Sequence, residues 1–175
     1  AKVIRSHHAA IKIVGVFVNQ EESYIKEVIE AAELDFVQLH GDEDPKMASA
    51  FSVPVLAVIP LSSLEDVEKI SAAPGEFVLI DTPTKGYGGG GKTFPWELAS
   101  AAVAKGKEVG KKIILAGGLH PQNVAAAMRQ VAPFGVDVAS GVESAPGKKE
   151  KELMDSFVKN ARDGEERFGA DGRFG

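Results

Sequence analysis

The sequence predicts an α/β fold of parallel strands alternating with helices. Three observations carry this: short apolar runs recur along the chain, helix-periodic segments lie between them, and most units start roughly 20 to 25 residues apart. The apolar runs fall at 11–18 (IKIVGVFV), 36–40 (FVQLH), 53–59 (VPVLAVI), 77–81 (FVLID), 112–117 (KIILAG) and 135–140 (GVDVAS). They are rich in Val and Ile, alternate little with polar residues and end in a small or polar residue. That is the pattern of parallel strands buried on both faces.

The intervening segments repeat apolar residues every three or four positions. Ile25, Val28, Ile29 and Ala32 form one such stripe, and Leu64, Val67 and Ile70 a second. Val124, Ala127, Met128 and Val131 form a third, and Leu153, Phe157 and Ala161 a fourth. Each predicts a one-sided helix. Pro45 and Pro121 stand where first-turn prolines are tolerated, while Gly106, Gly110 and Pro133 mark helix exits.

Six units of this kind are expected to form most of a (β/α)8 TIM barrel, which ordinarily takes roughly 250 residues. Residues 1–162 read as one partial barrel domain, and the polar, glycine-rich stretch 163–175 as a flexible tail. Residues 2–11 read as the end of a helix feeding the first strand, so the missing units are expected ahead of residue 1.

Composition narrows the function. The chain has 175 residues, 44% hydrophobic and 26% charged, as in ordinary globular domains. A net charge of -5 provides no basic field for nucleic acid, and no apolar stretch approaches a membrane span. The expected compartment is the cytoplasm. Zero cysteines exclude disulfides, thiolate metal sites and a cysteine base from these residues. His7, His8 and His120 lack the spacing and carboxylate company of a metal site, so no metal is expected.

The sharpest constellation lies after the last two strands. One runs into Gly117 and Gly118, the other into Ser140 and Gly141. Glycines let backbone N–H groups approach an anion, a following helix N-terminus adds a favourable dipole, and barrels place phosphate at this position. Tight βα turns alone would also account for either pair. Asp81 ends a buried strand, where apolar walls can raise a carboxyl pKa toward that of a general acid; a turn-forming or capping role fits the position equally. His40 closes its strand as a ligand contact or a satisfied rim residue. Asp137 is read as orienting a substrate hydroxyl, supporting the phosphate loop or making a structural hydrogen bond.

Residues 86–93 (GYGGGGKT) satisfy the nucleotide-binding pattern G-x-x-x-x-G-K-[ST]. The context is poor, because residues 82–85 separate the strand's last residue, Asp81, from this glycine run and Pro95 follows the lysine. The run Lys148, Lys149 and Lys151 reads most simply as a solvated helix start, with help in attracting an anion as the alternative its place beside the last loop offers.

The strings VGVFVN, VQLHGDE, LIDTPTKGYGGGGKTFPW, ILAGGLHPQNV and GVDVASGVESAPGKK, in order, resemble phosphoribosylanthranilate isomerases of tryptophan biosynthesis. The resemblance implies a cofactor-free Amadori rearrangement of N-(5′-phosphoribosyl)anthranilate. Asp81 matches the family's general acid, and Gly117, Gly118, Ser140 and Gly141 its phosphate loops. His40 and Asp137 match positions near the substrate. The family's K-I-C-G string with its cysteine base, and its arginine after the second strand, are absent from these residues. The chain alone is therefore expected to be inactive or impaired, unless a complementing N-terminal segment supplies those groups. Open barrel edges are expected to favour such a partner or self-association. The rival readings are a non-catalytic phosphate-binding barrel remnant and a P-loop nucleotide hydrolase.

Overall fold

A computed structural model describes residues 10–81 and 96–169, the side chains of 166–169 excepted. The six main strands pair in chain order: β1 (Val14–Phe17), β2 (Phe36–Leu39), β3 (Val55–Pro60), β4 (Phe77–Asp81), β5 (Lys112–Ala116) and β6 (Gly135–Val136). Helices α1 (Glu22–Ala32), α2 (Leu64–Glu68), α3 (Trp96–Glu108), α4 (Val124–Val131) and α5 (Lys151–Gly169) alternate with them, with a 3-10 turn at Pro45–Ala50 joining β2 to β3. This is the strand–helix succession of a (β/α)8 barrel, with six units present.

The chain divides into two compact units, one of residues up to Val58 plus Ala72–Val78, the other of Ile59–Ser71 plus residues from Leu79 onward. In the first unit β1, β2 and β3 run parallel, with Val14 opposite Phe36 and Val37 opposite Val55. Ile25 and Ile29 of α1 bury against Phe17, Leu34, Val37 and Val55. That burial follows directly from their four-residue spacing. Glu33 ends α1 in the left-handed region at φ 50°, and Leu34 then donates its N–H to the Ile29 carbonyl at 3.0 Å. A hydrogen bond of this reach satisfies one of the carbonyls that a helix end leaves open.

In the second unit β5 and β6 run parallel, with Ile114 opposite Gly135. Val124, Ala127, Met128 and Val131 form the buried face of α4. Gly164 lets α5 lie directly on α4, since a Cβ there would stand 2.7 Å from the Met128 Cβ. Phe157 of α5 is buried.

Four sequence expectations change. The strand expected over 135–140 is only two residues long, although N–H groups of Phe134 and Asp137 extend its bonding to Ile113 and Leu115 at 2.8 and 2.9 Å. Residues 143–149 form a two-stranded antiparallel hairpin, β7 (Glu143–Ala145) and β8 (Lys148–Lys149), where a loop leading into a helix was expected. Pro121 sits three residues ahead of α4 rather than in its first turn. The last helix continues through Gly169, so a boundary at 162/163 falls inside it. Gly164 is buried against α4, and that packing carries the helix into a stretch whose polar composition pointed to a tail.

Candidate active site

Asp81 is the last residue of β4, behind Val78, Leu79 and Ile80, each at most 1% exposed. Its own side chain is half-buried, and its carbonyl accepts the Leu61 N–H at 2.8 Å. Strand polarity therefore brings the carboxyl to the C-terminal end of the sheet, where barrels place their chemistry.

In the same unit β5 ends at Ala116, and Gly117 and Gly118 follow at φ +86° and +62°. Only glycine takes two such conformations in succession without steric cost. Four residues past the end of the neighbouring strand β6, Ser140 opens a 3-10 turn through Val142. A Cβ on Gly141 would overlap the Leu119 carbonyl oxygen and stand 2.9 Å from its carbon. The glycine thus allows backbone-to-backbone contact between the two loops.

No hydrogen-bond partner occurs among the described residues for the N–H groups of Gly118, Leu119, Ser140 and Gly141. Leu119 is buried and Gly141 half-buried, while Gly118 and Ser140 are exposed. Backbone N–H groups left without protein partners at adjoining turns are available to an anion. The structure therefore brings together all four glycine and serine positions expected from the sequence. The second helix N-terminus is not part of this arrangement, because the β7–β8 hairpin separates Gly141 from α5.

Asp137 lies one residue beyond β6, with its backbone still bonded to β5 and its side chain exposed. Lys149 lies in β8 rather than at a helix start, and it remains exposed. Its Nζ donates to the Ala139 carbonyl at 2.7 Å and pairs with Glu143 Oε1 at 2.8 Å. The ammonium therefore pins the peptide ahead of Ser140. Lys149, together with the Gly147 N–H, in turn holds the Glu143 carboxyl below its ordinary range.

His40 belongs to the other unit. Its backbone N–H donates to the Phe17 carbonyl at 2.8 Å, and the Gln38 side-chain amide donates to ring Nδ1 at 2.8 Å. An amide nitrogen can only donate, so the neutral ring carries its proton on Nε2. Sequence reasoning missed Asn19 and Glu43 nearby. Glu43 accepts the N–H groups of Asn19 and Gly41 at 2.6 and 2.8 Å, and Asn19 Oδ1 accepts the Asp42 N–H at 2.8 Å. The available signal was Gly41 beside three acidic residues, a loop composition whose bonding depends on a contact 23 residues away.

The glycine run at 86–93 lies outside the described residues, as do His7 and His8. Among the described residues no group of three or more His, Asp or Glu side chains is placed to hold a metal ion, and no helix is long and apolar enough to cross a membrane.

The model of the N-(5'phosphoribosyl)anthranilate (PRA) isomerase family matches residues 1–160. The chain belongs to this family. The isomerase of Myxococcus xanthus is 44% identical over 154 residues, covering 86% of this chain and 71% of the relative. The crystal structure of the Thermotoga maritima enzyme superposes with a TM-score of 0.72 at 40% identity, over 85% of this chain and 72% of that one. A structure of phosphoribosyl anthranilate isomerase in complex with reduced 1-(o-carboxyphenylamino)-1-deoxyribulose 5-phosphate superposes at 0.70, with 35% identity, over 85% and 70%.

Proposed function

We propose that this chain supplies the phosphate cradle and the general acid for isomerisation of N-(5′-phosphoribosyl)anthranilate to 1-(2-carboxyphenylamino)-1-deoxyribulose 5-phosphate, in tryptophan biosynthesis. The observation that carries the reading is the set of unpartnered N–H groups at Gly118, Leu119, Ser140 and Gly141. Four backbone donors at adjoining strand ends suit a phosphate monoester, whose oxygens are acceptors.

With the phosphate held there, the Asp81 carboxyl protonates the ribose ring oxygen and the ring opens to a Schiff base. A base then removes the C2′ proton, and the resulting enolamine becomes the ketone. Asp137, exposed just past β6, serves the substrate hydroxyls. His40, in the other unit, is assigned as a substrate contact on the family resemblance alone. The 175 residues contain no cysteine, so the base that removes the C2′ proton is not a thiol of these residues. The setting of a soluble biosynthetic enzyme fits the cytoplasm.

The test follows turnover through the anthranilate fluorophore, with the chain alone and with the family's first two strand–helix units added. Turnover is expected only with the added units. Asp81→Asn in the complemented enzyme is expected to lower kcat by about 10²- to 10⁴-fold while leaving phosphate affinity intact. Full kcat in that variant would overturn the assignment of the acid. Phosphate binding without turnover after complementation would favour a non-catalytic remnant. Magnesium-dependent ATP binding abolished by Lys92→Ala would favour a nucleotide hydrolase.

A further inference from the structure

Asn123 occupies the N-cap position of α4, yet its side chain makes no hydrogen bond to the helix. An asparagine there ordinarily accepts an N–H from the first turn. Both ends of this amide instead turn back onto the preceding loop. Nδ2 donates to the Gly118 carbonyl at 3.0 Å, and Oδ1 accepts the His120 N–H at 2.8 Å. The loop is held from a second side by α5, where Asn160 Nδ2 donates to the Pro121 carbonyl at 2.8 Å.

The consequence follows from the geometry of one peptide. The unit joining Gly118 to Leu119 is planar and trans, so its C=O and N–H point in opposite directions. Drawing the Gly118 oxygen toward Asn123 directs the Leu119 N–H away from Asn123. The same side chain occupies the next donor, His120. Two glycines at positive φ leave this peptide free to rotate, so an external restraint is needed to select one orientation.

We propose that Asn123 is a positioning residue for the phosphate loop: it orients the Gly118–Leu119 peptide so that the Leu119 N–H serves the anion, and it withholds the His120 N–H from that role. The inference rests on the phosphate reading above and specifies which amides perform it. Asn123 itself does not touch the ligand.

The experiment titrates the full chain with inorganic phosphate and follows backbone amides by ¹H–¹⁵N NMR. In the wild type, Gly118, Leu119, Ser140 and Gly141 are expected to shift on binding while His120 stays still. Asn123→Ala is expected to weaken phosphate roughly 5- to 10-fold, the scale of one misdirected hydrogen bond, and to bring His120 into the responding set. Asn123→Asp separates orientation from folding within one molecule. Its ionised carboxylate can accept from His120 but cannot donate to Gly118, whereas the protonated acid can do both. Its phosphate affinity, taken as a ratio to wild type at each pH, is therefore expected to recover as pH falls through the carboxylate range.

If the four wild-type amides ignore phosphate, the phosphate reading itself fails. If they respond but Asn123→Ala matches the wild type in affinity and leaves His120 silent, the positioning role is overturned. Should Asn123→Ala not fold, Asn123→Asp decides, and an affinity ratio independent of pH overturns the proposal.

Discussion

Replacing Gly141 by alanine tests the contact that joins the two candidate phosphate loops. A Cβ at 141 would overlap the Leu119 carbonyl oxygen, stand 2.9 Å from its carbon and 3.1 Å from the His120 Cα. All three neighbours are backbone atoms, so no side-chain rotation relieves the overlap. The loops must separate by on the order of 1 Å, a displacement that costs about 10²-fold when it misplaces binding groups. Forcing the extra carbon into packed surroundings also destabilises the fold by about 1–3 kcal/mol.

Stability alone would not distinguish this site from any strained glycine, and Gly110 provides the control. It has φ +72° with nothing within 4 Å of where a methyl group would stand, so alanine there meets backbone strain of about 1–2 kcal/mol but no clash. Urea denaturation and phosphate titration of both variants separate the two effects. Gly141→Ala and Gly110→Ala are expected to lose comparable stability, but only Gly141→Ala should lose phosphate affinity, by roughly two orders of magnitude. Equal phosphate affinity in the two variants would refute the claim that loop contact assembles the site.

Three further outcomes follow from the hydrogen bonds. Lys149→Met removes the donor to Ala139 and the partner of Glu143, and should weaken phosphate a few-fold by freeing the peptide ahead of Ser140. Because Lys149 lowers the Glu143 pKa, its contribution is present above the unfolded carboxylate range and lost as pH falls below it. The wild-type advantage over Lys149→Met should therefore shrink in acid, as read by urea midpoints from pH 7 downward. Asp66 pairs with Lys69 and accepts from the Ser62 and Ser63 N–H groups, which together lower its pKa from 3.8 to about 2. Asp66→Ala should cost about 1 kcal/mol at neutral pH, a difference that disappears as pH falls from about 4 toward 2. Gln38→Leu removes the donor to His40 Nδ1, and ¹⁵N NMR should show the imidazole proton no longer confined to Nε2.

The elements differ in how openly they declare themselves. Phe77–Asp81 matches its sequence reading residue for residue, because three consecutive buried aliphatics leave a strand few alternatives. The α4 stripe matches for the same reason, with the expected Val124, Ala127, Met128 and Val131 all buried. The hairpin at 143–149 had a visible signal in Pro146 and Gly147, since Pro followed by Gly at φ +76° suits a tight turn. The lysines beside it masked that signal by resembling a helix start. The shortness of β6 had none, because Val138 and Ala139 are as apolar as Gly135 and Val136.

What the sequence determined by itself was the succession of six strand–helix units and the placing of Asp81, Gly117, Gly118, Ser140 and Gly141 at strand ends, because burial periodicity and strand polarity are local properties of the chain. Tertiary structure alone decided which amides remain unpartnered, that Lys149 pins Ala139, and that Asn123 turns from its helix to the glycine loop. Those outcomes depend on pairings between residues several to dozens of positions apart. A backbone donor's availability is settled only when every competing acceptor has taken its place in space.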